Sequence, residues 1–547
     1  MYDWANSAFA TSINTAILPV YFVTLFKDAF GPETQLLGFT LTGSSIWGLG
    51  VATSTAVVAL SSPALGAVAD RTRIKKTLLW VYTVAGAAFT ILLFFSAYTG
   101  KPWAFLIGSY LIANIGFAGG NVFYNSLLPH LAPKDLLDDV SSRGFAYGYV
   151  GGGLLLAVHL ALILAFKDTD HSDLVTRVAI ASVGFWWFGW AIWTFRTVPE
   201  PEIPNPVVGL TAKSATRMAL TQLRRTFREI TRFRVLIIYL GAYLLFNDGI
   251  QTVLAVAGAF GADTLGVSLV FNIGTILVIQ FIAALGAMLF SRISRSLGTK
   301  KALGIALVGW CIAILLGVGF APLTPQVHSD FDYQLEYLPA GTYELSEAPD
   351  IEDSDADSQW NDSYGHLWGD NSINRRAATE LAEAVGSSKL SHFSISIDGG
   401  PLDGTRRIGP HHPSNLSQGP IDWWPRAMRT SIWGPLRISV NLQWLILGAF
   451  LGTVLGGSQA LARSLFAQIV PESRSSEFFG FFGFIGKASA VFGPMIYLVI
   501  TGIYDTRLAI LAILVIIVAG TVVLRWVDVE EGRVVAMQED ERAYSTR

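Results

Sequence analysis

The sequence predicts an all-α integral membrane protein with twelve spanning helices in two six-helix halves and one extracytoplasmic insertion. Three observations predict it. Only 14% of the 547 residues are charged and 52% are hydrophobic, whereas soluble domains average about a quarter charged. Twelve apolar runs reach the roughly 20 residues that a helix needs to cross a bilayer. Short sequences of the first half recur in the second, in the same order.

The runs lie near residues 5–27, 44–66, 77–99, 102–128, 143–166 and 174–195, then near 235–260, 266–291, 301–322, 440–466, 475–502 and 506–526. No basic stretch or small-residue cleavage site accompanies the first, so it is expected to be an uncleaved span, not a signal peptide. Orientation follows from the Lys/Arg bias of the loops. Arg71, Arg73, Lys75 and Lys76 follow span 2, Arg292, Arg295, Lys300 and Lys301 follow span 8, and the connection after span 6 holds eight more basic residues. With alternating spans these loops share one side, which puts both termini in the cytoplasm.

NSLLPHLAP (125–133) in span 4 parallels RSLFAQIVP (463–471) in span 10 at an offset of 338, and GYVG (148–151) parallels GFIG (483–486) at 335. The Lys-Lys pairs 75–76 and 300–301 are offset by only 225. About 110 residues are therefore inserted between spans 9 and 10, and these are residues 323–439. Between Asp330 and Asp370 lie 12 acidic residues and no Lys or Arg, a composition tolerated outside the cytoplasm. HFSISIDGG (392–400) alternates like a strand ending in a turn. Trp423, Trp424 and Trp433 stand beside arginines as an interfacial anchor would.

Several functions are excluded. A net charge of −3 leaves no broad basic face for nucleic acid, and the single cysteine, Cys311, rules out an intramolecular disulfide. GFFGFIGKAS (480–489) misses the phosphate-loop pattern: five residues instead of four separate Gly480 from Gly486, and Ala488 replaces the magnesium-binding hydroxyl. HExxH, GxSxG and paired CxxC motifs are absent, so neither an enzyme nor a cofactor is expected. Asp353, Asp355 and Asp357 are spaced as in calcium loops, but Ser358 replaces the turn glycine and Tyr364 the bidentate glutamate. A solvated acidic loop is the expectation there. Asn361 and Asn415 head N-x-S sequons.

Polar residues inside spans carry the functional signal. Ser7, Asn14 and Tyr21 recur every seven residues in span 1, and Asn114, Asn121 and Asn125 share a stripe of span 4. Span 7 offers Asn247, Asp248 and Gln251; span 10 offers Gln459 and Arg463. Lys487 stands alone in span 11. Taken as straight helices, spans 7 and 11 put Asp248 about 20 Å and Lys487 about 18 Å from the same surface at 1.5 Å per residue. A lone lysine at that depth costs about 3 kcal/mol, so the two are expected to interact.

YDWANSAFATSINTAILPVYF (2–22), YNSLLPHLAP (124–133), SSRGFAYGYVGGG (141–153), FNDGIQTV (246–253), GGSQALARSLFAQIVP (456–471) and EFFGFFGFIGKASAVFGP (477–494) resemble the "unknown major facilitator" family. That family is related to the autophagy-associated vacuolar amino-acid effluxers. The resemblance spans nearly the whole chain outside 323–439. It implies the major facilitator fold with parallel halves and a central cavity lined by spans 1, 4, 7 and 10. GAVADRTRIKK (66–76) also resembles the superfamily's cytoplasmic loop motif, with Gly66, Asp70 and Arg71 matching and Arg73 in place of a glycine. After span 8, Arg295 replaces the aspartate.

The expected organisation is a six-helix half over 1–198, a basic linker over 199–233, spans 7–9 over 234–322, the insertion over 323–439, spans 10–12 over 440–527 and a cytoplasmic tail over 528–547. The expected function is alternating-access transport of a small polar solute, with amino acids as the best class. Candidate cavity residues are Asn14, Tyr21, Asn114, Asn121, Asn125, Asp248, Gln251, Gln459, Arg463 and Lys487; candidate gate residues are Asp70 and Arg71. Expected partners are the solute, a candidate coupling proton and the lipid of the cell membrane, with the protein acting as a monomer. The alternative is a transporter-derived sensor that binds an extracellular ligand through 323–439.

Overall fold

A computed structural model describes residues 1–545 except 32, 37–38, 204–205, 208–213, 215–216, 219–220, 222–223, 225–229, 268, 350–354, 369–371, 417–418 and 491. Much of the expected basic linker thus lies outside the described residues. Among the described residues, twelve helices are long and apolar enough to cross a membrane. Spans 1–6 are Tyr2–Phe30, Gly43–Ala69, Lys75–Tyr98, Pro102–Ser126, Leu137–Ala165 and Ser172–Thr197. Spans 7–12 are Arg234–Ala262, Phe271–Leu297, Thr299–Val318, Val440–Ile469, Glu472–Ile503 and Thr506–Leu524. Each half has its own apolar core, one centred on Phe9, Tyr110 and Trp187, the other on Tyr239, Trp310 and Phe466. A short hairpin, β1 (Glu33–Leu36) with β2 (Phe39–Thr42), links spans 1 and 2.

Two spans are irregular, and both irregularities bear on the site. Span 1 is α-helical over Tyr2–Ala8, a π-helix over Phe9–Ala16 and α-helical again over Leu18–Phe30. Wider turns of this kind shift the helical phase and cluster at functional sites. Span 11 consists of two helices, Ser475–Ala488 and Phe492–Ile503. Pro494 has no N–H to give to an earlier carbonyl, and its ring opposes helix through the preceding turn.

The bundle has a proximal end, formed by the loops after spans 2, 4, 8 and 10, and a distal end that carries the insertion. The insertion contains a small α/β domain with its own core of Tyr333, Leu335, Trp360, Leu381, Ile395 and Ile397. Its sheet has the order β5-β4-β3-β6-β7, from β3 (Tyr333–Tyr337), β4 (Tyr343–Glu347), β5 (Ser372–Ile373), β6 (Ser394–Asp398) and β7 (Thr405–Ile408). β3 and β6 are parallel and the other pairs antiparallel. β6 ends at Gly399 and Gly400, whose φ of 85° and 66° suit glycine.

Several expectations change here. Asp353 lies outside the described residues, and Asp355 and Asp357 fall in a helix, Asp355–Tyr364, instead of a loop. Two of the three tryptophans are also bonded within the chain: Trp424 Nε1 donates to Leu315 O at 2.9 Å and Trp433 Nε1 to Gly319 O at 3.1 Å, tying the approach to span 10 onto the end of span 9. The tail contains a helix, Val529–Ser545, whose Asp540 accepts the backbone N–H groups of Glu472 and Ser473 at 3.0 and 2.9 Å.

Candidate functional site

Between the halves lies a cavity of about 450 Å³ lined from spans 1, 2, 4, 5, 7, 10 and 11. A second, of about 530 Å³, shares Phe145, Tyr149, Gln251 and Gln459 with it, so the space continues along spans 7, 8 and 10 toward the distal end. The polar lining comes in two matched sets. In the first half, Asn6 donates to Asn121 Oδ1 at 2.6 Å. In the second, Gln459 donates to Asn247 Oδ1 at 3.4 Å, as does Gln251 at 3.5 Å. Asn121 and Gln459 are repeat partners, 338 residues apart, and so are Asn125 and Arg463. The latter two touch across the interface, Arg463 Nη1 donating to Asn125 Oδ1 at 3.2 Å.

Arg463 is the charged floor of the cavity. Both terminal nitrogens reach Asp3 Oδ2 at 3.3 Å, with the two side chains only 6% and 11% exposed. Nε donates to Ser141 Oγ at 3.0 Å and Nη2 to Ser141 O at 2.9 Å. The guanidinium lies 4.2 Å from the centre of the Phe145 ring, and Tyr124 OH donates to Asp3 Oδ2 at 2.7 Å. Gly144 leaves the room this pair occupies, since a Cβ there would press on Asp3 and Arg463. Spans 1, 4, 5 and 10 are thus joined by one buried ion pair with a shared hydrogen-bond shell.

The cavity brings together Asn121, Asn125, Gln251, Gln459, Arg463 and Lys487, and leaves four expected residues outside it. Asn14 Nδ2 donates to Asn114 Oδ1 at 3.4 Å, and Asn14 Oδ1 accepts from Tyr110 OH at 3.2 Å. Asn114 in turn donates to Ser54 Oγ at 2.8 Å. Tyr21 donates to Asp173 on span 6 at 2.8 Å. Ser7 lines the cavity but Asn14 and Tyr21 do not, because the π-helix over Phe9–Ala16, which holds Asn14, breaks a stripe that presumes 3.6 residues per turn.

Asp248 is the fourth, and its expected contact with Lys487 is not formed. The Asp248 carboxylate faces the start of the second segment of span 11 at Phe492 and Gly493, where a negative charge is favoured, and its Oδ1 is buried with no hydrogen-bond partner among the described residues. Lys487, in the last turn of the first segment, opens into the cavity instead. No ion pair joins them among the described residues. Equal depth along straight helices failed as a guide because span 11 is broken between them. Gly152, the repeat partner of Lys487, lies against Ser7, on which any side chain would press. Asp3, Asn6 and Tyr149 were missed as cavity residues. An acid near the start of an apolar span was the available signal for Asp3.

The halves meet again at the proximal end. Asp70 accepts the backbone N–H groups of Ser476 and Glu477 at 3.0 and 2.8 Å, capping the first segment of span 11 from the other half. Lys75 Nζ lies 2.9 Å from Asp70 and donates to Ser475 Oγ at 2.8 Å. Burial, then the Lys75 ammonium, push the His130 imidazole down to about 3, so it is neutral and accepts from Lys75 at 3.1 Å. Gly66 has no space for a Cβ against the Ser476 carbonyl. Arg71 lies outside this buried cluster, exposed, its carbonyl accepting from Val207 N at 2.8 Å. In the second half the charges are reversed: Arg295 donates to Asp139 of span 5 at 2.7 Å. Beside it Asp138 accepts from Thr299, Ser464 and Gln468. These contacts close the proximal end.

Asp70 is buried, so its replacement should cost more than a surface ion pair would. Asp70→Asn keeps one acceptor for two N–H donors and strands Lys75, a loss of about 1.5–3 kcal/mol for charge-assisted bonds. The expected result is slower transport with greater proximal-side labelling of a reporter cysteine at Ser62 in a Cys311→Ser background. Unchanged labelling would sink the latch.

The family model described as "Vacuole effluxer Atg22 like" matches residues 1–327 and 429–537, leaving out the stretch that holds the five-stranded sheet. An uncharacterized MFS-type transporter of Bacillus subtilis (strain 168), YxiO, is 23% identical over 99% of this chain and 96% of its own length. Autophagy-related protein 22-1 of Aspergillus niger is 24% identical over 72% of this chain; the chain spans about half of that relative, 48% of its length. Among solved structures, the proton:xylose symporter XylE bound to 6-bromo-6-deoxy-D-glucose superposes with a TM-score of 0.54 at 13% identity, over 96% of this chain and 93% of that one. A bacterial homologue of the iron transporter ferroportin, in an outward-facing state with soaked iron, gives 0.50 at 11% identity over 96% of each. At these identities the likeness is one of fold. With four-fifths of its length matched by the family model and a twelve-span fold shared with these carriers, the chain belongs to the Atg22-like family and is a membrane transporter of the major facilitator superfamily.

Proposed function

We propose that the transported solute is small and carries a carboxylate, with amino acids as the best class, and that it binds between Lys487 and the amides of spans 1, 4, 7 and 10. The observation that carries this reading is a charge imbalance. Two cations, Arg463 and Lys487, face the cavity, and its one acid among the described residues, Asp3, is already held by Arg463 and Tyr124. An ammonium at mid-membrane depth without an acid needs an anionic partner, and a solute carboxylate supplies it. The paired amides offer oxygens to an ammonium, and Phe117, Phe145 and Tyr149 offer apolar and ring faces to a side chain. The resemblance to vacuolar amino-acid effluxers supports the same class.

The proximal loops carry the Lys/Arg excess, so we place that end and both termini in the cytoplasm of a cell membrane. On that reading the structure is closed inward and the solute enters from the side of the insertion.

The test is thermal unfolding of the purified protein with amino acids, monocarboxylates, amino alcohols and sugars, followed by uptake into proteoliposomes. A ligand at 100 times its Kd stabilises by about 2.7 kcal/mol, so carboxylates should raise the Tm and the amino alcohols should not. Stabilisation by amino alcohols or sugars alone would refute the assignment. The same assay on a chain with 323–439 replaced by a short Gly/Ser linker separates carrier from sensor. A carrier keeps transport; a sensor folds and loses its response.

A further inference from the structure

Spans 9 and 12 lie side by side, and their proximal ends border two adjoining open clefts unrelated to the solute site. The outer one, about 390 Å³, is a slot between Gly304, Ile305 and Val308 of span 9 and Thr521 and Leu524 of span 12. The inner one, about 500 Å³, is walled by Thr299, Gln468 and Trp526. Lys300, Lys301 and Arg525 border both.

The geometry points to a binding site for an anionic phospholipid, its phosphate on Lys301 and Arg525 and an acyl chain in the slot. Lys300 is committed to the carbonyls of Arg525 and Val527 at 2.8 and 2.7 Å. Asp528 accepts backbone N–H groups of Glu530 and Glu531, and Glu530 pairs with Arg533 at 2.8 Å. Lys301 and Arg525 are exposed, with no side-chain partner among the described residues. They sit where the two helices leave the apolar region, the level at which basic pockets between spans hold anionic headgroups. Trp526, 67% exposed, stands at the same level, as interfacial aromatics do. The slot runs inward from the charges for about 10 Å, seven residues of helix at 1.5 Å each. A Cβ at Gly304 would meet nothing within 4 Å, so protein atoms do not fill it.

The inner cavity gives the site a second meaning. Its walls Thr299 and Gln468 both hold Asp138 of the opposite half, at 2.7 and 3.0 Å. A headgroup there lies beside the contacts that close the proximal end.

The experiment is native mass spectrometry and thermal unfolding of the full-length, delipidated protein with phosphatidylglycerol, phosphatidylcholine or inorganic phosphate. Phosphatidylglycerol should be retained and should stabilise; the other two should not. Each basic group near a membrane surface is worth about 1 kcal/mol, roughly fivefold in affinity, so Lys301→Ala with Arg525→Ala should weaken phosphatidylglycerol binding about 25-fold. Gly304→Leu, which keeps both charges, should also lose the lipid by filling the slot. Equal binding of phosphatidylcholine, or undiminished phosphatidylglycerol binding in either variant, overturns the inference. Stabilisation by inorganic phosphate equal to that by the lipid overturns it in favour of a free-anion site.

Discussion

With Arg463 replaced by glutamine, transport should fall below detection and the protein should lose about 3–5 kcal/mol of stability, the usual cost of breaking a buried ion pair from one side. The loss comes from Asp3, left buried without its guanidinium partner. Arg463→Lys should fail nearly as badly. A lysine keeps the charge but cannot serve Asp3, Asn125 and two Ser141 acceptors from one planar fork, or lie flat on Phe145. Adding Asp3→Asn to Arg463→Gln removes the stranded charge and should restore most of the stability. Transport separates the two roles of the pair. If it only fixes the packing of spans 1, 5 and 10, the double variant recovers transport along with stability. If the pair must open for the proximal end to open, the double variant is stable and its transport stays defective. Full transport in Arg463→Gln alone would remove the floor from the mechanism.

The features that were legible in the sequence are those set by long repeats of one rule. Twelve spans follow from twenty-residue apolar runs, and the offset of 338 paired Asn125 with Arg463, two residues that meet at 3.2 Å. The insertion stood out by acidity and repeat arithmetic, and HFSISIDGG gave β6 (Ser394–Asp398) with its glycine turn; the rest of the sheet did not, because its strands of two to five residues alternate too little to read and β3 finds β6 some 60 residues away. Cavity residues were legible only where the helix is regular. Asn121, Asn125, Gln459 and Arg463 sit on unbroken stretches of spans 4 and 10 and line the cavity. Asn14 lies within the π-helix of span 1, Tyr21 follows it and Asp248 faces the interruption before Pro494, while Asn114, on a regular stretch of span 4, is taken up by Asn14 and Ser54. Short-range strain of this kind is decided by tertiary packing and leaves little trace in residue order.

Lys487 gives the second large effect, and its direction separates function from fold. A lysine at the centre of a span costs about 2.5–3.5 kcal/mol on insertion scales, and Lys487 has no ion pair among the described residues. Replacing it with methionine, which has nearly the same length, should therefore leave the Tm unchanged or raise it. Binding should move the other way. A charge-assisted contact to the solute contributes about 1.5–3 kcal/mol, so affinity should drop roughly tenfold to 150-fold and the stabilisation by carboxylates should vanish. A stability gain together with a binding loss is the signature of a residue kept for its ligand. Asp248→Asn is the matching control. Asparagine caps helix starts about as well as aspartate, so the second segment of span 11 should hold its position and transport should change little. Should Asp248→Asn instead abolish transport as Lys487→Met does, the two groups must meet in another state of the cycle. If Lys487→Met lowers the Tm and leaves solute binding intact, Lys487 is a structural residue and the solute carboxylate binds elsewhere.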